Sequence, residues 1–119
     1  KNKNRDAIEA GVLSKQATEK RRQFGELVVR QEVAKALTRY NSAVRAKEIF
    51  RVGVISEAEK NLDVVRQTYE LGENSLLVFL QEQRRFIELK ESFIDAKLEV
   101  YLARIEVYRA TNSPELITE

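Results

Sequence analysis

The sequence predicts an all-α protein built as a long antiparallel helical hairpin. Three observations lead to this prediction. The 119 residues include a single proline, Pro114, near the C-terminal end. Apolar residues recur at spacings of three and four through almost the whole chain, as on one face of a helix. The one cluster of turn residues between the two periodic segments is LGENS, residues 71–75. We therefore expect helix 1 over about residues 5–70, a turn at 71–75 and helix 2 over about 76–112.

Helix 1 contains three glycines, and each one costs about 1 kcal/mol relative to alanine in a helix. Only Gly53, in the segment FRVGVIS, lies where a break is plausible, because Ser56 and Glu59 could cap a new helix there. The apolar spacing nevertheless continues on both sides of Gly53. We therefore favour one continuous helix, kinked at most at this glycine.

The turn between the helices has residues suited to each of its positions. Gly72 can adopt the left-handed conformation that ends a helix, and Ser75 is a good N-cap for a helix that begins at Leu76. Asn74 is a typical turn residue. Five apolar residues, LLVFL, follow at once. An ordinary helix–helix loop has no need of such a run, but a tip that docks on a partner would use it.

Helix 2 has two apolar series that each repeat every seven residues, and at about 100° per residue they point to separate sides of the helix. The first series is Phe79, Phe86, Phe93, Val100 and Val107, completed by Leu89, Ala96, Ala103 and Ala110. The second is Leu80, Ile87, Ile94, Tyr101 and Tyr108, with Leu77, Leu98 and Ile105 beside it. A basic stripe runs between the two series: Lys90, Lys97 and Arg104. A mostly acidic stripe lies on the other side: Glu88, Asp95, Glu99 and Glu106. The helix is expected to stop at Ser113-Pro114.

Helix 1 repeats this design. Its first series is Leu27, Ala34, Leu37, Val44, Ile55, Ala58, Leu62, Val65 and Tyr69. Its second series is Val29, Val33, Ala36, Tyr40, Ala43, Phe50 and Val54. A simple two-helix hairpin needs one apolar series per helix, so a helix with two series must pack on both sides. The pattern fits a stave in a large helical bundle or in a closed helical tube, and it leaves both open. In either case the hairpin cannot cover its own apolar surface and should belong to a longer chain or an oligomer.

Composition argues against several classes of function. Cysteine and histidine are absent, which removes disulfides, thiolate metal sites and the commonest general base. The net charge is +2 with signs interspersed, and the basic clusters KRRQ and QRR lack the aromatic pattern of nucleic-acid binding. Carboxylate pairs such as Glu88 and Glu91 fit a solvated helix face better than catalysis. We expect no enzymatic activity, cofactor, metal site or nucleic-acid partner.

The sequence has no recognisable membrane or export signal of its own. No apolar run approaches the roughly 20 residues of a membrane-spanning helix. Residues 1–6 are basic and polar with no apolar segment behind them, unlike a signal peptide. Either the protein is cytosolic, or its leader lies outside this sequence.

The segment YELGENSLLVFL resembles the periplasmic hairpin turn of the TolC-like outer-membrane efflux channels, which reads approximately Y-x-x-G-x-x-[ST]-[LI]-x-D-[VL]-L. The residues at the corresponding positions are Tyr69, Gly72, Ser75, Leu76, Phe79 and Leu80, and all but Phe79 fit the pattern. KNRDAIEA, VAKALTRYNSA and YLARIEVYRATN resemble further helical segments of that family in the same order. The resemblance covers nearly all 119 residues, and the heavy-metal efflux branch is the most similar.

The resemblance implies a function that the heptads do not. Members of this family are homotrimers in which each protomer contributes two repeats of strands and long helices to an outer-membrane barrel and a periplasmic tunnel. Residues 1–119 would be a single periplasmic hairpin of such a channel, which exports small molecules or metal ions. Its tip would dock on a periplasmic adaptor, a membrane fusion protein that connects to an inner-membrane transporter. The residues that match this contact are Leu71, Gly72, Glu73, Asn74, Ser75 and Leu76.

Val78 departs from the family pattern, which often has aspartate there. An acid at the third helical position completes a capping box, so valine should make this tip less stable by about 1 kcal/mol or less. Val78 and Gln81 also match positions where some members have cation-binding acids, so an acidic constriction is not implied for this hairpin. The alternative function is a helical-hairpin interaction module, either a coiled coil or an adaptor hairpin, with no transport role. Alternating strands of about ten residues before Lys1 would favour the channel.

Overall fold

The computed structural model describes residues 2–111, and all regular secondary structure in this range is helical. Helix α1 spans Asn2–Ile49, a π-helical turn follows at Phe50–Ile55, and α2 spans Ser56–Glu70. Helix α3 spans Leu76–Thr111 and runs back along the chain that precedes it. The all-α hairpin predicted from the sequence, with its turn at 71–75, is therefore confirmed. The predicted helix end at Asn112 and the stop at Ser113-Pro114 lie outside the described residues.

The chain divides into two units, one up to Lys35 and one from Ala36 onward. The first unit is the N-terminal part of α1, and its side chains make local contacts along the helix. Arg22 pairs with Glu19 at 2.8 Å and with Glu26 at 3.3 Å. The hydrogen bond from Arg22 to Glu19 raises the pKa of this arginine. Most large apolar side chains of this unit are exposed, and Phe24, for example, is 69 % accessible, whereas Val28 and Val33 are half-buried.

The second unit has its core along the first apolar series of α3, as predicted. The following members of that series are buried or half-buried: Phe79, Phe86, Leu89, Phe93, Ala96, Val100, Ala103, Val107 and Ala110. Ala103 is completely buried, and alanines 36 and 43 of α1 are buried too. Two aromatic stacks cross the interface, Phe50 on Phe93 at 6.4 Å between ring centroids and Tyr69 on Phe79 at 5.5 Å. Apolar burial along this single seam therefore holds the hairpin closed.

Polar contacts flank the apolar seam and fix how the helices are aligned. Arg39 of α1 donates hydrogen bonds to Glu99, at 2.7 Å, and to Glu106 of α3, and both bonds raise the pKa of Arg39. Nearer the turn, Asn61 Nδ2 donates to Glu82 Oε1 at 3.0 Å. Because both contacts join specific partners across the interface, a shift of one helix along the other would break them.

The basic stripe of α3 lies against its own aromatic residues. Lys90 Nζ is 4.7 Å from the ring centroid of Phe86, and Lys97 Nζ is 4.4 Å from that of Phe93. In this geometry the ammonium groups interact with the ring faces, and the lysine stems cover one edge of the seam.

The buried face of helix 1 changes at the π-helical turn. On the N-terminal side of the turn, the second series packs against α3, while Leu37 of the first series is 43 % exposed and Val44 is half-buried. The members of the second series that are buried or half-buried in this unit are Ala36, Tyr40, Ala43, Phe50 and Val54. On the C-terminal side the first series takes over: Ile55, Ala58, Leu62 and Val65. The two series therefore do not keep to two separate faces along helix 1, contrary to the sequence-based prediction.

One extra residue accounts for this change of face. The heptad positions that include Ala43, Phe50 and Val54 would continue at Glu57 and Asn61, which are polar and exposed. The residues that pack lie one position later. A π-helical turn accommodates one residue more than an α-helical turn without breaking the helix. It thereby shifts the buried face by one residue, which is about 100° of rotation. The prediction of a continuous helix through Gly53 is confirmed, and this glycine lies within the π turn.

We expect Phe93→Ala to lower the free energy of unfolding by about 2 kcal/mol, because it removes the ring that packs on Phe50 and beneath Lys97. The matched control is Ile94→Ala at the next residue, which is 60 % exposed and should cost less than about 0.5 kcal/mol. Urea unfolding followed by circular dichroism at 222 nm measures both. Equal losses of unfolding free energy for the two variants would contradict the assignment of Phe93 to the buried seam and of Ile94 to the surface.

Candidate docking surface at the tip

The turn at the tip is closed by two backbone hydrogen bonds. Glu73 N–H donates to the carbonyl of Thr68 at 2.9 Å, and Gly72 N–H donates to the carbonyl of Tyr69 at 2.9 Å. This pair of bonds defines a Schellman motif, which needs a left-handed residue after the helix. Gly72 supplies it with a φ of 76°. The predicted role of Gly72 is therefore confirmed.

Asn74 locks the turn onto the end of α2. Its backbone N–H donates to the carbonyl of Thr68 at 3.2 Å, and its side-chain Nδ2 donates to Thr68 Oγ1 at 2.6 Å. The Thr68 hydroxyl lies in turn 3.0 Å from the carbonyl of Val65 and can donate to it. Asn74 is half-buried as a result. Its contribution to the site is to hold the tip in one shape.

Ser75 caps α3, as predicted. Its Oγ accepts a hydrogen bond from the backbone N–H of Val78 at 3.3 Å, which satisfies one of the free donors at the start of the helix. The side chain of Val78 cannot return the bond that an acid would make in a capping box. The helix therefore has the N-cap at Ser75 but lacks the second hydrogen bond of a capping box, as the sequence predicts.

The tip presents apolar side chains to solvent on this fixed backbone. We use the name tip patch for Leu71, Leu76, Leu77 and Leu80. Leu71 is 73 % exposed and Leu77 is 64 % exposed, although both are large aliphatic residues. The Tyr69–Phe79 stack lies between the ends of α2 and α3 at this end of the hairpin. A cluster of exposed apolar residues on a rigid turn is typical of a protein docking surface.

The six predicted tip residues form one turn and divide into two roles. Gly72, Asn74 and Ser75 shape the backbone through the bonds described above. Leu71, Glu73 and Leu76 are exposed at the surface. The predicted set omitted Leu77 and Leu80, which belong to the same apolar patch. The uninterrupted run LLVFL was the signal that would have included them.

The second series of α3 forms an exposed band that continues from the tip patch. We use the name lateral strip for Leu80, Ile87, Ile94, Leu98 and Tyr101, which are between 48 % and 62 % exposed. The strip begins at Leu80, which it shares with the tip patch. At the far end the same series is covered, because Ile105 is half-buried and Tyr108 is buried. The second series is thus free over most of its length.

Charged residues interrupt the lateral strip and restrict what can cover it. Arg84 lies between Leu80 and Ile87 in the heptad, and Glu91 lies between Ile87 and Ile94. A second α3 aligned in parallel and in register would place Arg84 opposite Arg84 and Glu91 opposite Glu91. Such like-charged layers are unfavourable. The strip is therefore poorly suited to a parallel, in-register pairing with another α3.

Comparison with known proteins identifies no relative: no family model, curated protein or solved structure matches the chain. Within residues 2–111 no helix is long and apolar enough to cross a membrane. The same range contains no group of three acidic side chains placed to hold a metal ion. The described surface therefore offers two features for interpretation, the tip patch and the lateral strip.

We expect Gly72→Ala to destabilise the hairpin by about 1 kcal/mol, because alanine is strained at the positive φ of this position. Gly53→Ala is the matched control. A Cβ at either glycine meets nothing within 4 Å, so the two sites differ in backbone conformation and not in space. Gly53→Ala should be neutral or stabilising by up to about 1 kcal/mol. Chemical unfolding of both variants checks the opposite signs.

Proposed function

We propose that the chain is a periplasmic tunnel segment of an outer-membrane efflux channel, whose tip docks on a periplasmic adaptor. The observation that supports this proposal best is that a well-packed hairpin leaves two apolar surfaces exposed, one at its tip and one along its side. The proposal names a TolC-like channel because YELGENSLLVFL resembles the hairpin turn of that family.

The lateral strip supports the tunnel part of the proposal. The hairpin closes along the first series of α3, yet Ile87, Ile94 and Tyr101 stay more than half exposed. Large apolar side chains that recur along one face of a helix are typical of an interaction surface, and a neighbouring helix would remove them from water. In a tunnel wall each hairpin has neighbours on both sides, which is the environment that the strip needs.

The tip patch supports the docking part of the proposal. Protein interfaces combine an apolar centre with a polar rim. Here Leu71, Leu76 and Leu77 would form the centre, and exposed Glu73 would lie at the rim. The fixed turn lowers the entropic cost of binding, because the backbone is already ordered before a partner arrives. The tip of an adaptor hairpin is a partner of matching size and kind.

In this role the protein conducts small molecules or metal ions and carries out no reaction. The adaptor connects it to an inner-membrane transporter, and the complete channel is a homotrimer anchored in the outer membrane. A helical interaction module without a transport role would use the same two surfaces, so the choice of partner has to be tested directly.

Site-specific crosslinking tests the docking partner, and the absence of native cysteine makes single-cysteine variants clean. We expect Glu73→Cys to crosslink, through a short bis-maleimide, to a cysteine at the tip of the helical hairpin domain of a periplasmic adaptor protein. The adaptor hairpins encoded in the same genome are the probes. The measurement is the yield of crosslinked heterodimer on a denaturing gel.

The matched control is Glu91→Cys, which is equally exposed but lies in the middle of α3. It should give at least tenfold less product. A third variant, Leu71→Ser in the Glu73→Cys background, should lower the yield several-fold because it weakens the apolar centre. Equal yields at Glu73 and Glu91 with every adaptor hairpin would contradict docking through the tip and favour the interaction module.

A further inference from the structure

Helix 1 contains two apolar series that compete for the same place against α3 on the N-terminal side of the π turn. The first series keeps an uninterrupted heptad register from Leu37 and Val44 through Arg51 to Ile55 and on to Val65. The structure instead buries mainly the second series up to Val54, with Val44 of the first series half-buried beside it, and changes to the first series at Ile55. A π-helical turn is required only because of this change.

Conversion of the π turn into an ordinary α-helix would remove the change of face. If the packed segment from Ile55 to Val65 stayed on α3, the segment before the turn would rotate by one residue, about 100°. Leu37, Val44 and Glu48 would then face α3, and Ala43 and Phe50 would leave it. We propose that the π turn at Phe50–Ile55 is a rotational switch in helix 1. Its two states pack alternative faces of the same segment on α3.

The side chains determine which of the two states is the major one. The observed face contributes Phe50 to a ring stack and buries two alanines. Arg39, beside it, donates to Glu99 and Glu106. The alternative face contains Leu37 and Val44 but also Asn41, Glu48 and Arg51. It therefore buries less apolar surface, and the rotated state is the minor one.

Two polar features are already compatible with the rotated state. Glu48 and Arg51 are hydrogen-bonded to each other, and this bond lowers the pKa of Glu48 and raises that of Arg51. The pair would therefore reach the edge of the α3 interface with its charges matched. Lys47 is half-buried at the observed interface and would move out toward water. Rotation thus exchanges one partly buried cation for a neutralised pair.

The consequence of the switch is a change in the surface that the upstream part of the hairpin shows to its surroundings. Phe50 becomes exposed, and Leu37 becomes covered. The turn at Gly72 and the packing of α2 on α3 stay as they are. The switch is argued from the packing alone and does not depend on the proposed transport function.

Disulfide trapping at three consecutive positions tests the switch. Lys47, Glu48 and Ile49 are each replaced by cysteine and paired with Ala96→Cys on the facing side of α3. Lys47→Cys lies on the observed face and should oxidise fastest in a glutathione buffer. Glu48→Cys is on the face that only the rotated state turns toward α3. Ile49→Cys lies about 200° from Lys47 on the observed face and about 100° from Glu48 on the rotated face, so it sets the background. We expect the ratio of the Glu48→Cys rate to the Lys47→Cys rate to be at least tenfold higher in the intact chain than in a chain fixed on the observed face.

Deletion of Gly53 is the control that isolates the rotation. Removing one residue puts the observed face and the Ile55 series into a single heptad register, so helix 1 is all α-helical and fixed on the observed face. In this background Lys47→Cys should still oxidise fast, which shows that the hairpin is folded. Glu48→Cys should oxidise at least tenfold more slowly than the same variant in the intact chain, because only the rotated state turns it toward Ala96→Cys. The switch is wrong if the deletion leaves the ratio of the Glu48→Cys rate to the Lys47→Cys rate unchanged.

Discussion

The rest of the described hairpin depends on one apolar seam, the face of α3 that carries a phenylalanine every seven residues. Phe79, Phe86 and Phe93 occupy the same position in the heptad. Phe79 and Phe93 each stack on an aromatic residue of helix 1. Because the seam is narrow, a single series of residues from helix 1 can occupy it at each level. The turn at the tip and the π turn are the two features that bring an apolar series of helix 1 onto this seam. The Schellman turn reverses the chain next to the Tyr69–Phe79 stack. The π turn, which lies farther from the tip, shifts the buried face of helix 1 by one residue so that an apolar series stays on the seam.

Local chemistry explains why the turn could be predicted residue by residue. Gly72 and Ser75 act within four residues of their partners, so their roles follow from backbone geometry alone. The first seam of α3 could also be predicted, since the chain contains one strictly repeating phenylalanine series. The change of face in helix 1 could not, because both of its series are apolar and both have heptad spacing. Which of the two series packs at a given height along α3 depends on how helix 1 and α3 are aligned. That alignment exists only in the folded hairpin. Gly53 was the only local sign, and it pointed to a break instead of an inserted residue.

The sequence predicted that the hairpin would leave apolar surface exposed, but not how far each exposed surface extends. Two apolar series on one helix require two neighbours, and the structure indeed leaves Ile87 and Ile94 uncovered. The sequence did not indicate that the same series would be buried at Tyr108, since that depends on how the two helices lie together at the far end of α3. At the tip, exposure extends to Leu77 and Leu80, because the cap at Ser75 starts the helix before the apolar run and helix geometry turns Phe79 of that run into the seam. The proposed TolC-like family rests on the resemblance of the tip segment.

Leu80 belongs to both the tip patch and the lateral strip, and this shared position has a thermodynamic consequence. A partner at the tip and a neighbouring helix along the side would each draw on the same side chain, so their binding free energies cannot be independent. Whichever arrives first fixes the rotamer of Leu80 and determines how much apolar area is left for the second. By linkage, the factor by which one partner changes the affinity of the other is the same in both directions. Lateral assembly and end-on docking of this hairpin would therefore be coupled through a single leucine, with no change in backbone conformation required.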